Sequence, residues 1–305
     1  IVEVTENSSV TGYADYEVID ASGKIVAPGF VDLHTHLRDP GQEWKETIVT
    51  GTQAAAYGGF TTICAMPNTD PVQDSAAVVE DVMRRAAADG VVRVLPIGAI
   101  SVGQHGKQLA PMGELADSGV IGFSDDGNPI ADANLMRQAL KYSVELGLPI
   151  INHAEDKKIG AGGVMSAGLV ATRLGLAGVP AEAETAMVAR DLQLADLTKA
   201  RLHIPHISTI GSLVALRSAK ECGVNVTAEV TPHHLTLNDE WVFGLKGEIP
   251  AQVGSEAYDT NTKVNPPLRS RSDVEAVIEA LSEGLIDIIA TDHAPHAATD
   301  KACTY

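Results

Sequence analysis

The stretch GFVDLHTHLRDPG, residues 29–41, joins an apolar, β-rich run to two histidines and an arginine. Side chains at positions i and i+2 of a strand point to the same face, so His34 and His36 can reach one metal ion together. Both histidines stand where the predicted strand ends, and Arg38 follows two residues later. The stretch therefore predicts a buried strand whose carboxyl end carries a functional site.

The same pattern recurs along the chain, because short apolar runs that end in polar residues alternate with longer stretches rich in Ala, Leu and Glu. Serial alternation of strands and helices implies parallel strands with right-handed crossovers, and eight strands favour a (β/α)8 TIM-type barrel of the α/β class. A doubly wound open sheet would alternate in the same way. The predicted strands are residues 29–34, 60–66, 91–98, 120–125, 148–153, 201–206, 224–230 and 286–291, and the predicted helices include 74–89, 132–146, 182–198, 210–222 and 272–284.

Composition and charge restrict the class of protein. Hydrophobic residues make up 45% of the chain but aromatic ones only 4%, so the core is built from Ala, Val, Ile and Leu, as suits parallel strands covered by helices. The formal charge of −18 argues against nucleic acid and anionic membranes as partners, although bound metal ions can still attract an anionic substrate. Three widely spaced cysteines indicate a reducing compartment such as the cytoplasm, and no apolar run is long enough to span a bilayer.

Residues 1–27 differ from the rest of the chain. Their alternating pattern turns at Ser22-Gly23, which predicts a short β-hairpin from a small β-domain, whereas residues 28–305 form the barrel. A complete barrel has a helix after its eighth strand, and the chain stops at Tyr305. We therefore expect the C-terminal part of the barrel to be missing from this sequence.

Further chemistry-bearing side chains follow other predicted strands. The carboxyl ends of barrel strands meet at one face, so these groups are expected to converge. A lone histidine at a strand end is more often structural, and an Asp-Asp-Gly run is usually a turn, but the joint pattern indicates a site for a cation such as Zn²⁺. The residues at these strand ends are Asp125 and Asp126, His153, His206, Asp292 and His293, with His296 close behind.

The number of candidate ligands points to two metal ions. His34, His36, His153, His206 and Asp292 exceed what one tetrahedral zinc takes while it keeps an open position. A carboxylate from the fourth strand could bridge a pair of ions, and a hydroxide shared by two metals is a strong nucleophile toward a polarised carbonyl. A carboxylate beside such a site can also hold a proton and pass it to a leaving nitrogen.

Eight motifs together resemble dihydroorotase of the bacterial class I type, in the amidohydrolase superfamily. The His-x-His pair marks only the superfamily, whereas HLRDPG combined with NPPLR and TDHAPH is specific to dihydroorotases and close relatives. The resemblance implies a barrel with a small β-sandwich built from both chain ends. It also implies zinc-dependent, reversible cyclisation of N-carbamoyl-L-aspartate to L-dihydroorotate in de novo pyrimidine biosynthesis. The motifs are DLHTHLRDPG, AMPNTDP, FSDDG, INHAEDKKI, LHIPHIST, EVTPHHL, TKVNPPLRS and ATDHAPH.

Residues at matching positions acquire roles from this resemblance, which implies two Zn²⁺ per chain. Asp126 is the expected bridge, because its spacing to His153 matches the family, and Asp125 is the alternative. Many relatives bridge the metals with a carboxylated lysine on strand four, but FSDDG contains none. Asp292 is also the expected proton shuttle. The implied ligands are His34, His36 and Asp292 for the first ion, and His153 and His206 for the second.

The resemblance also implies a substrate site. Arginine suits a bidentate grip on a carboxylate, and the family uses the residues matching Arg38, Asn68 and His296 for that purpose. Asn265 would contact the pyrimidine ring.

Among the other histidines, His203 is expected to be structural because it is three residues from His206 on the same strand, and His105 to lie in a loop. His233 and His234 could orient metal ligands, and this role stays open.

Two alternative functions remain. Allantoinase or dihydropyrimidinase would share the metal chemistry but not the substrate carboxylate, so Arg38, Asn68 and His296 discriminate between them and dihydroorotase. An inactive dihydroorotase-like scaffold for aspartate transcarbamoylase is the other alternative, but such chains generally lack metal ligands, and this one retains them. Homo-oligomer formation and association with aspartate transcarbamoylase stay open.

Overall fold

The computed structural model describes residues 17, 19–244 and 249–305, and its strands are parallel. Each of the eight predicted strands is found, mostly over fewer residues than predicted. A short pair of strands between the fifth and sixth predicted ones was not expected. The strands are β1 Phe30–Thr35, β2 Phe60–Ala65, β3 Arg93–Pro96, β4 Phe123–Ser124, β5 Ile150–Ile151, β6 Met165–Ser166, β7 Gly178–Val179, β8 Leu202–Ile204, β9 Val226–Val230 and β10 Ile288–Ile289.

Helices follow most of the strands. The five predicted helices correspond to α2, α4, α6, α7 and α9, with ends within two residues of the prediction. The helices are α1 Ile48–Tyr57, α2 Ala76–Asp89, α3 Met112–Asp117, α4 Ala133–Leu146, α5 Leu169–Leu174, α6 Glu182–Thr198, α7 Ile210–Glu221, α8 Pro232–Thr236, α9 Arg271–Ser282 and α10 Ala298–Lys301, and the 3₁₀ helices are Val102–Gln104, Asp239–Phe243 and Thr260–Thr262.

The strands form a closed ring. One sheet has the order β1-β2-β3 and the other β4-β5-β8-β9-β10, while β6 and β7 pair only with each other. A parallel bridge from Gly98 to Phe123 joins β3 to β4, and a second from Thr35 to His293 joins β1 to the end of β10. The His36 amide donates to the His293 carbonyl over 2.8 Å at this second joint. The protein is therefore an eight-stranded (β/α)8 barrel, and the doubly wound open sheet is excluded.

The core lies between the ring of strands and the helices around it. Its largest apolar cluster joins β4, β5, β8 and β9 to α4, α6, α7 and α9. Helix α4 shows how the sequence builds this layer. Asp132 caps it by accepting from the amides of Asn134 (2.8 Å) and Leu135 (2.9 Å), which typically stabilises a helix by about 1 kcal/mol. It ends at Gly147, whose φ of 67° suits glycine, and its inner face buries Met136 and Leu140.

Helix α1 was missing from the prediction, although tertiary packing explains it well. Its sequence, IVTGTQAAAY, contains a glycine that argues weakly against a helix. A Cβ atom at Gly51 would lie 2.6 Å from the Leu37 Cδ2 atom, so a larger residue would require the Leu37 side chain to shift, and glycine lets the helix pack closely against Leu37. Thr47 supplies the amino-terminal cap.

The predicted amino-terminal β-domain remains a prediction. The turn at Ser22-Gly23 is present, with the Lys24 amide donating to the Ala21 carbonyl over 2.9 Å. Residues 19–27 contain no strand, and most of the other predicted arm falls on residues 1–16 and 18, which lie outside the described residues. Within the described ranges, no helix is both long enough and apolar enough to cross a bilayer.

Candidate metal centre

Six side chains meet at the carboxyl end of the barrel, as the sequence predicts. Five are at most 5% exposed, and the Asp292 side chain is 12% exposed, so the site is nearly closed to solvent. Their positions follow from the strands, because each lies within the strand or no more than three residues beyond it. The six are His34 and His36 from β1, Asp126 from β4, His153 from β5, His206 from β8 and Asp292 from β10.

The first group of ligand atoms surrounds the space between β1 and β10. The Asp292 Oδ1 atom lies 3.4 Å from His34 Nε2 and 3.1 Å from His36 Nε2. Asp126 approaches the same two nitrogens, at 3.6 Å from His34 and 3.4 Å from His36. Ligands at about 2.1 Å from a tetrahedral zinc lie about 3.4 Å from one another, so these spacings suit one such ion.

The second group shares Asp126 with the first. The Asp126 Oδ1 atom is 3.6 Å from His153 Nδ1 and 3.5 Å from His206 Nε2. The two imidazole nitrogens are 3.0 Å apart. Asp126 therefore belongs to both groups, which is the arrangement of a carboxylate between two cations.

Two atoms at the centre of the cluster show that the residues fit a metal. His34 Nε2 and Asp126 Oδ1 are buried and accept or donate no hydrogen bond within the described part of the chain. A buried polar atom without a partner costs about 1–3 kcal/mol. A cation at this point would satisfy both atoms, and a set of imidazoles and carboxylates suits zinc and similar divalent ions.

Asp125 and Asp126 point in different directions. Asp125 accepts hydrogen bonds from the amides of Ile100 (2.8 Å) and Ser101 (3.1 Å) and from the Ser101 hydroxyl, so it ties β4 to the segment after β3. Burial raises its pKa to about 6. Of the two carboxylates, Asp126 lies among the histidines, so the geometry favours it as the shared carboxylate.

Outer hydrogen bonds orient the three imidazoles of β1 and β5. The Asn68 Oδ1 atom lies 2.8 Å from His36 Nδ1, and Glu155 Oε2 lies 3.2 Å from His153 Nε2. Glu229 Oε1 lies 2.6 Å from His34 Nδ1. The sequence analysis missed Glu229, although a single charge inside the apolar strand VTAEV was an available signal.

The predicted carboxylate-binding residues surround the mouth of this cluster. Arg38 is 9% exposed, and its Nε atom donates to the Pro295 carbonyl over 3.2 Å. Burial lowers the pKa of Arg38. His296 is exposed, and partial burial together with the neighbouring Arg38 charge lowers its pKa. Asn68, which was predicted to touch the substrate, contacts His36 through Oδ1 and keeps its amide N–H groups as donors.

Asn265 lies on the other side of the cluster. Its Nδ2 atom is 3.2 Å from His153 Nε2 and donates to Glu155 Oε2 over 3.3 Å. This position beside His153 brings the NPPLR motif to the rim of the centre.

Four other histidines differ in their surroundings. His203 is buried, and its Nε2 atom is hydrogen-bonded to Glu229. It therefore contacts a residue that orients His34 but does not itself belong to the candidate ligand cluster. His234 bonds Thr231 and the Pro266 carbonyl, and burial lowers its pKa to about 3, which gives it a structural role at the start of α8. His233 Nε2 is buried and has no hydrogen-bond partner among the described residues. His105 is exposed beside a 3₁₀ helix, as expected.

Comparison with protein families identifies the group to which this site belongs. Residues 23–212, more than half of the chain, match the family model described as dihydro-orotase-like. The chain belongs to the dihydro-orotase-like family. The resemblance inferred from the motifs is thereby confirmed.

Curated members of this family match almost the whole chain. A protein named dihydroorotase from Pelotomaculum thermopropionicum is 54% identical over 292 residues, which are 96% of this chain and 65% of that protein. A dihydroorotase from Anaeromyxobacter dehalogenans is 52% identical over 301 residues, or 99% of this chain and 66% of that protein. The chain thus spans about two thirds of the length of these relatives.

Solved structures support the barrel. The L-hydantoinase (dihydropyrimidinase) from Arthrobacter aurescens superposes with a TM-score of 0.75 at 25% identity, covering 95% of this chain and 64% of that one. The dihydropyrimidinase from Brevibacillus agri gives a TM-score of 0.72 at 25% identity, covering 93% and 61%. The family therefore shares its barrel with cyclic amide hydrolases.

Proposed function

We propose that this protein is a dihydroorotase that interconverts N-carbamoyl-L-aspartate and L-dihydroorotate. The observation that carries the proposal is the shared position of Asp126 between two groups of histidines, with Arg38 at the mouth of the same cluster. Relatives of the same name that are 52–54% identical over nearly the whole chain support it. The assembled ligand set disfavours an inactive scaffold, because a scaffold has no need for converging buried ligands.

We further propose that the cluster holds two zinc ions. His34, His36 and Asp292 would hold the first, and His153 and His206 the second, with Asp126 between them. A divalent pair supplies Lewis acidity, which polarises the scissile carbonyl and makes water more acidic. Zinc is the expected metal because the donors are imidazole and carboxylate and the spacings suit tetrahedral geometry.

Asp292 is the proposed proton carrier. Burial alone would raise its pKa, but the adjacent His34 and His36 hold that pKa at about 2, so the carboxylate is ionised at neutral pH. In the hydrolytic direction it accepts a proton from the attacking water and delivers it to the ring nitrogen as the carbon–nitrogen bond breaks. Ring closure uses the same transfer in reverse.

Arg38 is the proposed anchor for the substrate carboxylate. Its Nε atom is occupied by the Pro295 carbonyl, which leaves the N–H groups of its terminal nitrogens as donors in a fixed fork. The Asn68 amide N–H groups and His296 complete the proposed grip, and Asn265 would contact the ring. A buried cation at this position also counteracts the repulsion of an anionic substrate by a chain of net charge −18.

Two wider features are also proposals. We propose a cytoplasmic location, since all three cysteines are free. Homo-oligomer formation and association with aspartate transcarbamoylase would be tested by light scattering of the protein alone and mixed with that enzyme.

Metal analysis joined to a substrate panel tests the proposal. The purified protein should contain about two zinc ions per chain and should hydrolyse dihydroorotate much faster than hydantoin or dihydrouracil. Chelation should remove metal and activity together, and added Zn²⁺ should restore both. A pure, folded protein without metal would defeat the metal mechanism, while a preference for hydantoin would move the assignment to the hydantoinases.

A further inference from the structure

A chain of polar side chains lies inside the barrel beneath the first group of ligands. Glu229 Oε1 is 2.6 Å from His34 Nδ1, and Glu229 Oε2 is 2.9 Å from His203 Nε2. His203 Nδ1 is in turn 2.8 Å from the Thr227 hydroxyl. Glu229 is 1% exposed, His34 0% and His203 6%, so these three side chains are shielded from water, whereas Thr227 at the end of the series is exposed.

Strand pairing places these groups together. His203 of β8 is opposite Thr227 of β9, so Glu229 is its diagonal neighbour on the same face. Interior layers of such barrels are usually filled by Val, Ile and Leu, and a buried carboxylate is costly unless it is hydrogen-bonded and paired. Here both carboxylate oxygens have an imidazole partner. The two imidazoles therefore offset the cost of burying a carboxylate at a position where an aliphatic residue would carry no such cost.

The donors and acceptors in this series of side chains fix the direction of each hydrogen bond. An ionised carboxylate only accepts, so His34 must donate from Nδ1 and His203 from Nε2. The Thr227 hydroxyl can then donate to His203 Nδ1. With its proton on Nδ1, His34 presents the lone pair of Nε2, which is buried without a hydrogen-bond partner among the described residues and lies 3.4 Å from Asp292 Oδ1.

We propose that Glu229 is a positioning residue of the metal centre, which holds His34 in the tautomer that presents Nε2 to the metal and is itself held by His203 and Thr227. The inference rests on the metal site of the proposed function and extends it to three residues that are not ligands. Carboxylates bonded to ligating histidines set the orientation of the ring and raise its basicity, and their removal typically weakens metal binding about 10- to 100-fold.

Zinc affinity in the absence of substrate tests the inference. Glu229→Gln keeps the shape of the side chain but replaces one acceptor with a donor. We expect its zinc Kd, measured by competition with a chelator, to rise about 10- to 100-fold at one of the two sites. Thr227→Val should raise the Kd in the same direction by a smaller factor, because it acts through two intervening hydrogen bonds.

Asp287→Asn provides the matched control. Asp287 accepts from the Ala228 amide over 2.8 Å, next to Glu229 on the same strand, but it belongs to an exposed surface pair with Lys220. This variant should bind zinc like the wild type. An equal loss of affinity in Asp287→Asn and Glu229→Gln would assign the effect to general strain in β9 and would overturn the inference. An unchanged Kd in Glu229→Gln would overturn it as well.

The tautomer can be observed directly. In ¹⁵N-histidine spectra of the zinc-loaded wild type, His34 should carry its proton on Nδ1, and the opposite tautomer would refute the role of Glu229. These readouts require metal binding but no substrate. Failure to hydrolyse dihydroorotate would therefore defeat the proposed activity and leave this inference standing. An unchanged zinc Kd in Glu229→Gln would defeat this inference and leave the proposed activity standing.

Discussion

Replacement of Arg38 by methionine should identify the substrate carboxylate as its target. Arg38 is 9% exposed, so a hydrogen-bonded ion pair with the substrate would be only weakly screened by water. Each hydrogen bond to a charged group contributes about 1.5–3 kcal/mol, so the loss of two costs at least about 3 kcal/mol. This corresponds to a fall in kcat/KM of at least roughly 100-fold, since about 1.4 kcal/mol is a factor of ten.

The assay compares two substrates that differ only in the carboxylate. Arg38→Met should raise KM for dihydroorotate with little change in kcat, because the grip acts away from the reacting bond. The slow hydrolysis of dihydrouracil, which lacks the carboxylate, should not fall. Arg38→Lys keeps the charge but loses the planar fork, so we expect an intermediate KM. Equal losses on both substrates at full metal content, or an unchanged KM for dihydroorotate, would refute the reasoning.

Three further predictions concern the carboxylates. Asp292→Ala should abolish turnover in both directions, because it removes the proton carrier, and substantial residual activity in either direction would contradict that role. Asp126→Asn should lose most of both metals while Asp125→Asn retains them, and metal analysis showing the reverse would reassign the shared carboxylate. Glu184→Gln should lower the free energy of unfolding in urea by about 3–5 kcal/mol, since it leaves Arg269 buried at 2% exposure beside an amide. Burial alone would raise the pKa of Glu184, but Arg269 holds it below 4.5. The stabilisation is therefore present above about pH 4.5 and is lost as pH falls through the folded value, so wild type and variant should converge in acid. A loss under about 1 kcal/mol at pH 7 would show that the pair is dispensable.

Periodicity predicted the eight barrel strands and five of the helices, and it missed elements that depend on local packing. Strands such as β2 and β9 are apolar runs that read clearly from the sequence. Helix α1 could not be predicted in this way, because its glycine argues against a helix. That glycine permits a close contact with Leu37, which belongs to a separate part of the chain. The pair β6–β7, Met165–Ser166 and Gly178–Val179, lies between the fifth and sixth predicted strands and was not predicted.

The sequence by itself predicted which side chains meet at the candidate centre. The i, i+2 spacing of His34 and His36 and the recurrence of imidazoles and carboxylates at strand ends suffice for this, because parallel barrel strands all end at one face. The sequence could favour Asp126 over Asp125 only through resemblance, since neighbouring residues on a turn carry no information about direction.

The tertiary structure decided which groups orient those ligands. Asn68 bonds His36, and Glu229 on β9 bonds His34 on β1 across 195 residues of chain. Such contacts depend on which strands become neighbours when the ring closes and on which side chains then share an interior layer. Spacing along a single strand defines the face on which a residue lies. Only the closed barrel determines which side chains of other strands that residue contacts.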